Sequence, residues 1–417
     1  MSPIKRFRFL KYNADGMGRW KYNFTPFASK FGGFQMETVQ SGGAALAYLV
    51  HDLNDAAVRR RVDLLAGEGF LVGLGGFHRH AGALRQPAGR VLDLGPTQDA
   101  RLVKRAVAVM KWLLSPGAIR ALSAGAPVIV ARNLEMLILA WRVRSPQQRL
   151  VYECLDIHRL MLGAGRKSRL MRWIERQLLA RTDLVIVSSP AFARDYFGSR
   201  QGRRDGVLLV ENKIPVERRS SVGGDVCERR PGEGAVWTIG WFGMLRCRKT
   251  LEQLAALARS SRVRIEVVIA GIASPAEFPD FEAQVAVFPG LRYLGPFQQD
   301  DLARLYAAVD FVWAVDYFEE GQNSDWLLPN RLYEGLANGV VPIALDGVET
   351  GRWLKRHGVG LLVDAPLVEL PAQLVSLSRS KYAEMRAAIA ALPERALYQT
   401  AKERRDIVDA IVGRAHA

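Results

Sequence analysis

Cysteine is scarce in this 417-residue chain, and long apolar runs are missing. The three cysteines (Cys154, Cys227 and Cys247) are odd in number and widely spaced, so they form neither a disulfide framework nor a paired metal-binding spacing. This usage is typical of a reducing compartment. No apolar run approaches the roughly 20 residues that a membrane-spanning helix needs. We therefore expect a cytoplasmic protein.

The first 41 residues differ from the rest of the chain. They begin with a basic stretch that lacks the apolar core and the small-residue cleavage site of a signal peptide. Basic and aromatic side chains then alternate without a regular period. Three interpretations stay open: an arm that binds an anionic membrane surface, where each Lys or Arg contributes about 1 kcal/mol, a disordered tail, or a stretch upstream of the true start.

Acidic side chains are also in deficit. The chain has 58 Lys and Arg against 42 Asp and Glu, a formal net charge of +16. A nucleic acid, an anionic membrane surface or a phosphorylated substrate would each explain this excess, and a solvated arginine-rich surface is a fourth explanation. A nucleic-acid-binding protein is the least favoured, because the chain carries no recognised readout motif.

The order of the segments predicts an α/β protein with two similar halves. A chain of this length suits two domains of about 150–200 residues, and short apolar runs alternate with amphipathic segments in each half. We expect a first Rossmann-like domain over residues 42–219, a linker over 220–234, whose composition is rich in Gly and Ser, and a second Rossmann-like domain over 235–390. The last residues, 391–417, are predicted to return as a helix that braces the first domain.

Turn residues set the expected boundaries of several elements. Gly75 and Gly76 are expected in a turn after the second strand. Asn133 is expected to cap the helix over residues 134–143, and a basic helix is expected over 167–180. A strand that begins at residue 236 is expected to turn at Gly243.

The first candidate ligand site is a loop at the expected edge of the second sheet. In open parallel sheets, ligands bind beyond the carboxyl ends of the strands, so two facing domains form a cleft. The loop that starts at Gly243 precedes a helix, where free amides and the helix dipole attract anions. It carries three cations that suit a diphosphate, although a solvated basic turn is the alternative: Arg246, Arg248 and Lys249.

The second candidate site is the segment over residues 323–335. Pro329 suits a first helical turn, which would present the amides of Asn330 and Arg331 to a ligand. Glu334, deeper in the helix, can accept two hydrogen bonds from a ribose diol. An ordinary surface helix is the alternative, although an exposed Trp-Leu-Leu-Pro-Asn run would be costly.

The stretch from Gly243 to Asp364 resembles the nucleotide-sugar domain of the family 4 type of GT-B glycosyltransferases. The Gly-Arg-Leu…Lys turn of that family corresponds to residues 243–249, and the second glutamate of its Glu-x7-Glu segment corresponds to Glu334. The family arginine falls on Met244, so Arg246 or Arg248 would have to supply the phosphate contact, and the first glutamate falls on Trp326. The pattern is most similar to bacterial exopolysaccharide glycosyltransferases of the succinoglycan type.

This resemblance implies a GT-B fold and a hexosyltransferase, with a UDP- or GDP-sugar as the donor. The acceptor it implies is a lipid-linked glycan at the inner face of the cell membrane, which the arm and the basic helix would help to reach. Lysine, arginine and a helix dipole can neutralise the leaving group, so we expect neither a metal nor a cofactor. A nucleotide-sugar epimerase of the same fold is the alternative enzyme.

Catalysis is assigned to the loop after the strand that ends at Cys154. Asp156 suits a general base for the acceptor hydroxyl, and His158 suits either a base or a charge-stabilising role. The alternative is an aspartate that caps a helix and an exposed histidine. Because the first glutamate of the family pattern is missing, the stereochemical course is left open.

Overall fold

Short runs of Val, Ile, Leu and Ala form the central strands of two parallel sheets, as expected for strands that are buried on both faces. The computed structural model describes residues 45–79, 89–97, 102–219 and 236–414, with the backbone alone at 102–104. All of them lie in one compact unit, Gly43–Ala417. The predicted arm (1–41) and the predicted linker (220–234) lie outside the described residues.

The first sheet has seven parallel strands in the order β3-β2-β1-β4-β5-β6-β7. The strand order reverses between β1 and β4, which is where ligands bind in sheets of this kind. The strands are β1 (Ala45–Val50), β2 (Leu71–His78), β3 (Arg90–Pro96), β4 (Val128–Arg132), β5 (Arg149–Cys154), β6 (Leu184–Val187) and β7 (Val207–Leu209).

Helices cover both faces of this sheet. On one face α4 lies between α2 and α6 and contacts both. The helices are α1 (Ala56–Gly67), α2 (Leu102–Leu114), α3 (Gly117–Ser123), α4 (Leu134–Val143), α5 (Arg159–Leu162) and α6 (Arg166–Leu179), followed by a π-helical segment (Phe192–Arg200).

The second sheet has six parallel strands in the order β11-β10-β9-β12-β13-β14. Its strands are β9 (Val236–Leu245), β10 (Arg264–Ala273), β11 (Leu291–Tyr293), β12 (Phe311–Trp313), β13 (Val341–Leu345) and β14 (Leu361–Val363). Its helices are α7 (Arg248–Ala258), α8 (Phe281–Ala286), α9 (Leu302–Ala307), α10 (Asn330–Ala337), α11 (Glu349–His357) and α12 (Pro366–Ser376).

The end of the chain returns to the first half, as the predicted fold class required. A short strand, β15 (Tyr398–Gln399), pairs in parallel with β8 (Ile214–Pro215) at the crossing between the halves. Three apolar residues of the last helix join the core beneath the first sheet. The final helices are α13 (Arg379–Ala390), α14 (Glu394–Leu397) and α15 (Ala401–Val412), and the three core residues are Ile407, Val408 and Ile411.

The predicted glycine turn after the second strand is wrong, because β2 continues through both glycines to His78. A Cβ atom at Gly76 would lie 2.6 Å from the backbone oxygen of Val50 on the neighbouring strand. The glycines therefore allow β1 and β2 to approach each other inside the sheet.

The predicted cap at Asn133 is right in position but not in mechanism. Asn133 immediately precedes α4, yet its side chain makes no capping hydrogen bond. Its φ of 71° is unusual for a residue other than glycine. Its backbone N–H donates to the oxygen of Glu153 at 3.0 Å, which ties the end of β4 to β5.

The predicted turn at Gly243 is also wrong, because β9 continues to Leu245 alongside β10. Gly243 is paired with Gly271, where a Cβ atom would lie only 1.8 Å from the Gly243 oxygen. Close backbone approach therefore extends the strand pair, and only residues 246–247 connect β9 to α7.

Replacing Ile411 by Ala tests the return of α15 to the first half. Ile411 is fully buried, so the loss of its methyl groups and the resulting cavity should destabilise the protein by about 2–4 kcal/mol. Denaturant unfolding of the full chain measures this change. Lys402→Ala, on the exposed side of the same helix, is the control, and equal effects of the two changes would contradict the packing described here.

Candidate active site

The carboxyl edges of the two sheets face each other across a cleft, and side chains cross it at several points. Asn323 of the second half hydrogen-bonds Asp156 of the first at 2.6 Å. The guanidinium of Arg194 lies 3.2 Å from the carboxylate of Glu349. The loops that follow the strands of each half are therefore brought together, as the parallel sheets predict.

Glu334 lines a pocket in this cleft that encloses about 600 Å³ including its mouth. It lies on α10 between Asn330 and Asn338, which are four residues away on either side and therefore on the same helix face. The hydroxyl of Tyr306 donates to Glu334 Oε2 at 3.3 Å. The rest of the lining comes from the first half and the crossing segment (Arg60, Asn212, Lys213, Ile214, Pro215 and Arg218) and from residues just before and at the start of α9 (Gln299, Asp300, Leu302 and Ala303).

Burial raises the pKa of Glu334, and Arg60, the Tyr306 hydroxyl and Arg331 oppose that rise. The carboxylate is thus largely withdrawn from water but close to cations from both halves. Such a group is well suited to accept hydrogen bonds from a diol. Sequence reasoning missed Arg60, because more than 200 residues separate it from Glu334; its only local signal is the arginine run over residues 59–61.

The cations after β9 do not act as one group. Arg246 stacks on Phe318, with 4.6 Å between the guanidinium carbon and the ring centre. Lys249 Nζ lies 2.5 Å from a Glu320 oxygen, so both cations rest on the segment that follows β12. Arg248 points elsewhere, because its Nη2 donates to the oxygen of Glu277 at 2.5 Å. The structure therefore brings Arg246 and Lys249 together and leaves Arg248 apart.

Helix α10 begins at Asn330, with Pro329 as the residue before its first turn. The Arg331 side chain reaches back under the cleft, where its Nη2 donates to the oxygen of Val315 at 2.9 Å and lies 3.7 Å from Asp316 Oδ2. Its Nε is buried without a hydrogen-bond partner. Buried donors are rarely left unpaired, so this N–H is a candidate ligand contact.

Asp156 and His158 lie where they were predicted, on the loop after β5. Asp156 is exposed, and its Oδ1 accepts the hydrogen bond from Asn323. His158 is the residue that caps α5, because its Nδ1 accepts from the backbone N–H of Leu160 at 3.2 Å. Burial, followed by Arg105, lowers the pKa of His158 and so favours the neutral ring. With Nδ1 as an acceptor, the proton of that ring sits on Nε2.

A second carboxylate, Glu319, shares the middle of the cleft. Burial raises its pKa, and the charge of Asp156 raises it further, whereas Arg246 and Arg159 lower it. Glu319 of the second half therefore lies near Asp156 of the first half and near two arginines, Arg246 and Arg159. Sequence reasoning did not assign Glu319 a role, since its neighbourhood forms only when the halves face each other.

Trp326 stands where the family pattern has its first glutamate, and here it is an anchor. Its carbonyl accepts a hydrogen bond from the Ser189 hydroxyl, and Arg200 lies 5.1 Å from its ring centre. Together with Leu327 it packs on the core of the first half.

Among residues 45–79, 89–97, 102–219 and 236–414, no helix is both long and apolar enough to cross a bilayer. Within the same ranges, His, Cys, Asp and Glu side chains form no group of three or more that could hold a metal ion.

The overall fold of this chain is similar to that of several solved structures. Anabaena HepE, in complex with UDP and glucose, superposes with a TM-score of 0.64 at 17% identity over 89% of this chain and 100% of that one. Sucrose-phosphate synthase from Thermosynechococcus elongatus superposes with a TM-score of 0.61 at 18% identity over 88% of this chain and 99% of that one. The protein therefore has the GT-B fold, as the sequence predicted.

Sequence similarity to a curated protein identifies the family of this chain. The succinoglycan biosynthesis protein ExoL of Rhizobium meliloti (strain 1021) is 42% identical over 350 residues, which cover 81% of this chain and 86% of the relative. The chain belongs to this family of exopolysaccharide biosynthesis proteins. No protein-family model matches it.

Replacing Glu334 by Gln tests its buried carboxylate through stability. Because the folded protein raises the pKa of Glu334, the unfolded chain loses this proton first, near its ordinary pKa of about 4.3. The wild type therefore loses stability as pH rises from there through the folded pKa, and the Gln variant does not. The melting temperature of Glu334→Gln relative to the wild type should rise between about pH 4 and pH 8.

The control is Glu252→Gln, at an exposed position of α7. Its melting temperature relative to the wild type should stay level over the same range. If the difference in melting temperature between Glu334→Gln and the wild type is also independent of pH, the Glu334 carboxylate is not held in an unfavourable environment.

Proposed function

We propose that this protein transfers a hexose from a nucleoside-diphosphate sugar, with UDP as the favoured carrier, to a lipid-linked glycan during exopolysaccharide synthesis. The observation that carries the proposal is the pocket in which Glu334 faces Arg60 across the cleft. Membership of the family of a succinoglycan biosynthesis protein supports the product class. The solved complex of HepE with UDP and glucose supports the donor class.

The nucleoside is assigned to the Glu334 pocket. The two oxygens of Glu334 match a ribose diol, and the amides of Gln299 and Asn338 line the same space. An amide both donates and accepts hydrogen bonds, as the edge of a nucleobase requires. Donor binding is expected to displace the nearby Arg60 from Glu334.

The diphosphate is assigned to the neighbouring cations. Arg246 and Lys249 lie on the segment after β12, and Arg331 has a buried Nε that lacks a partner. Lys249 is paired with Glu320 and Arg331 lies near Asp316, so a diphosphate would take the place of these carboxylates. The same cations would stabilise the charge that develops on the leaving group.

Asp156 is proposed as the general base for the acceptor. It would take the proton of the acceptor hydroxyl while that oxygen attacks the anomeric carbon and the nucleoside diphosphate departs. His158 is the less suitable base, because Nδ1 already accepts a backbone hydrogen bond. Its Nε2–H can instead donate to a sugar hydroxyl.

A membrane-facing surface is proposed on α2 and α6, which flank α4. On α2 three apolar side chains with helical spacing are strongly exposed, and on α6 two apolar side chains lie exposed among basic ones. Apolar residues beside Lys and Arg are typical of helices that lie on anionic lipid. The residues are Val107, Met110, Lys111 and Leu114 of α2, and Arg166, Lys167, Arg169, Leu170 and Trp173 of α6.

This surface adjoins the proposed catalytic loop, which supports a lipid-linked acceptor. Helix α6 follows α5 and the loop that carries Asp156. Arg172 of α6 donates to the carbonyl oxygens of Met161 and Gly163, at 2.7 Å each. An acceptor headgroup presented beside α6 would thus enter the cleft next to Asp156.

A thermal-shift panel of UDP-, GDP- and ADP-sugars tests the donor site. We expect a UDP-sugar to stabilise the wild type, and Glu334→Ala to weaken its binding about 10–100-fold, since a hydrogen bond to a charged group contributes about 1.5–3 kcal/mol. Glu252→Ala is the control and should respond like the wild type. If the UDP-sugar stabilises Glu334→Ala as much as the wild type, the ribose assignment is refuted. If incubation with the donor alone changes its sugar in the absence of an acceptor, the protein is the epimerase instead.

Co-sedimentation with vesicles of phosphatidylglycerol and phosphatidylcholine tests the membrane surface. The double change Met110→Glu with Leu114→Glu should reduce binding at low salt at least about tenfold, since each exposed apolar side chain loses roughly 1.5–3 kcal/mol of burial in lipid. The matched control is Val287→Glu with Val368→Glu, two positions of the second half that are each 70% exposed. Equal binding by both double variants would refute the assignment of this surface.

A further inference from the structure

Two adjacent polar side chains are buried in the loop between β12 and α10. Asn323 is 3% exposed and Ser324 is 4% exposed. Burying a polar side chain without hydrogen bonds costs about 1–3 kcal/mol in proteins. The hydrogen-bond partners of Asn323 and Ser324 therefore identify the contacts that fix this turn.

Asn323 uses both ends of its amide on the loop after β5. Its Nδ2 donates to Asp156 Oδ1 at 2.6 Å, and its Oδ1 accepts from the backbone N–H of Ile157 at 3.3 Å. Turning the amide over would place oxygen against a carboxylate and NH₂ against N–H. Only one amide orientation satisfies both partners, so Asn323 holds the Asp156 loop in a defined geometry.

The turn that carries Asn323 is anchored in both halves. On one side, the Ser324 hydroxyl donates to Asp316 Oδ1 at 2.8 Å and accepts from the N–H of Glu319 at 2.9 Å, within the second half. On the other side, Trp326 packs on the core of the first half and its carbonyl accepts from Ser189. Asn323 therefore reaches Asp156 because the two halves are closed on each other.

We infer that Asn323 is a positioning residue for Asp156, supplied by the donor half, so that the base is oriented only when the cleft closes. This inference rests on the proposed function. The hydrogen bond holds Oδ1, which leaves Oδ2 to take the proton from the acceptor hydroxyl. The acceptor oxygen then bonds to the anomeric carbon, and the electron pair of the broken C–O bond leaves with the nucleoside diphosphate.

Two variants with opposite chemistry test the role. Asn323→Ala removes the donor to Asp156 and should lower turnover about 100-fold through misplacement of the base, without reducing stabilisation by the nucleotide sugar. Asn323→Asp places a second carboxylate against Asp156 at neutral pH. As pH falls, the new carboxyl group becomes protonated and can donate to Oδ1 again.

The quantity to compare is the turnover of each variant divided by that of the wild type at the same pH. The turnover of Asn323→Asp relative to the wild type should rise as pH is lowered, whereas that of Asn323→Ala should stay level. Turnover is measured as release of nucleoside diphosphate from the most stabilising sugar donor of the panel, with water as the acceptor. The other charged and titratable groups around this point are unchanged in both variants, so their titration largely cancels in the ratio: Glu319, Asp316, Arg246, Arg159 and His158.

Ser189→Ala is the matched control, because it weakens the same contact between the halves through Trp326 without touching Asp156. It should lower the melting temperature much as Asn323→Ala does, while its turnover ratio shows no dependence on pH. A pH-dependent ratio in Ser189→Ala like that of Asn323→Asp would overturn the inference, since loosening of the halves would then explain both.

Asp156→Asn separates the inference from the proposed function. If Asp156→Asn binds donor but is inactive while both Asn323 variants keep wild-type turnover at every pH, the positioning role is wrong and the proposed function stands. If Asp156→Asn keeps wild-type turnover, the assignment of the base is wrong and the positioning role falls with it. If no nucleotide sugar stabilises the wild type, the proposed function itself fails.

Discussion

A short loop of the second half packs on the first and connects the two halves of the described chain. Trp326 and Leu327 pack on the core of the first half, on the opposite face of the first sheet from the last helix, and Asn323 hydrogen-bonds the loop after β5. Leu328, next in the chain, belongs to the core of the second half. Six residues therefore connect two hydrophobic cores.

This connection places charges that would otherwise be far apart. Arg60 of the first half lies near Glu334 of the second, and Glu319 of the second half lies near Asp156 of the first and near Arg246. Burial raises the pKa of both glutamates, so the closed cleft carries an electrostatic cost that hydrogen bonds donated by a bound diol would lower. Active sites commonly combine such desolvated groups with opposing charges.

The family pattern and the structure differ at Trp326, and the difference has a physical consequence. A glutamate at this position would bring a charge to the donor sugar, whereas a tryptophan supplies apolar area and a ring under Arg200. The protein has thus gained an anchor between its halves where the pattern has a polar ligand. Asp316, Glu319 and Glu320, in the segment between β12 and α10, instead place carboxylates near Arg331, Arg246 and Lys249.

Periodicity and turn residues were enough to predict two parallel α/β halves, the strand that ends at Cys154, and the return of the last helix. These depend on local patterns of burial that one stretch of sequence contains. Glu334 could likewise be proposed from its motif alone. The turns predicted at Gly75, Gly76 and Gly243 are wrong. Glycine is favoured both in tight turns and where neighbouring strands pack closely, so the residue type alone does not separate the two. Three features could be seen only in the tertiary structure. Arg60 lies opposite Glu334, Asn323 hydrogen-bonds Asp156, and Arg248 is separated from Lys249. Each of them depends on contacts between segments far apart in sequence, and no local pattern records which distant partner a side chain will meet.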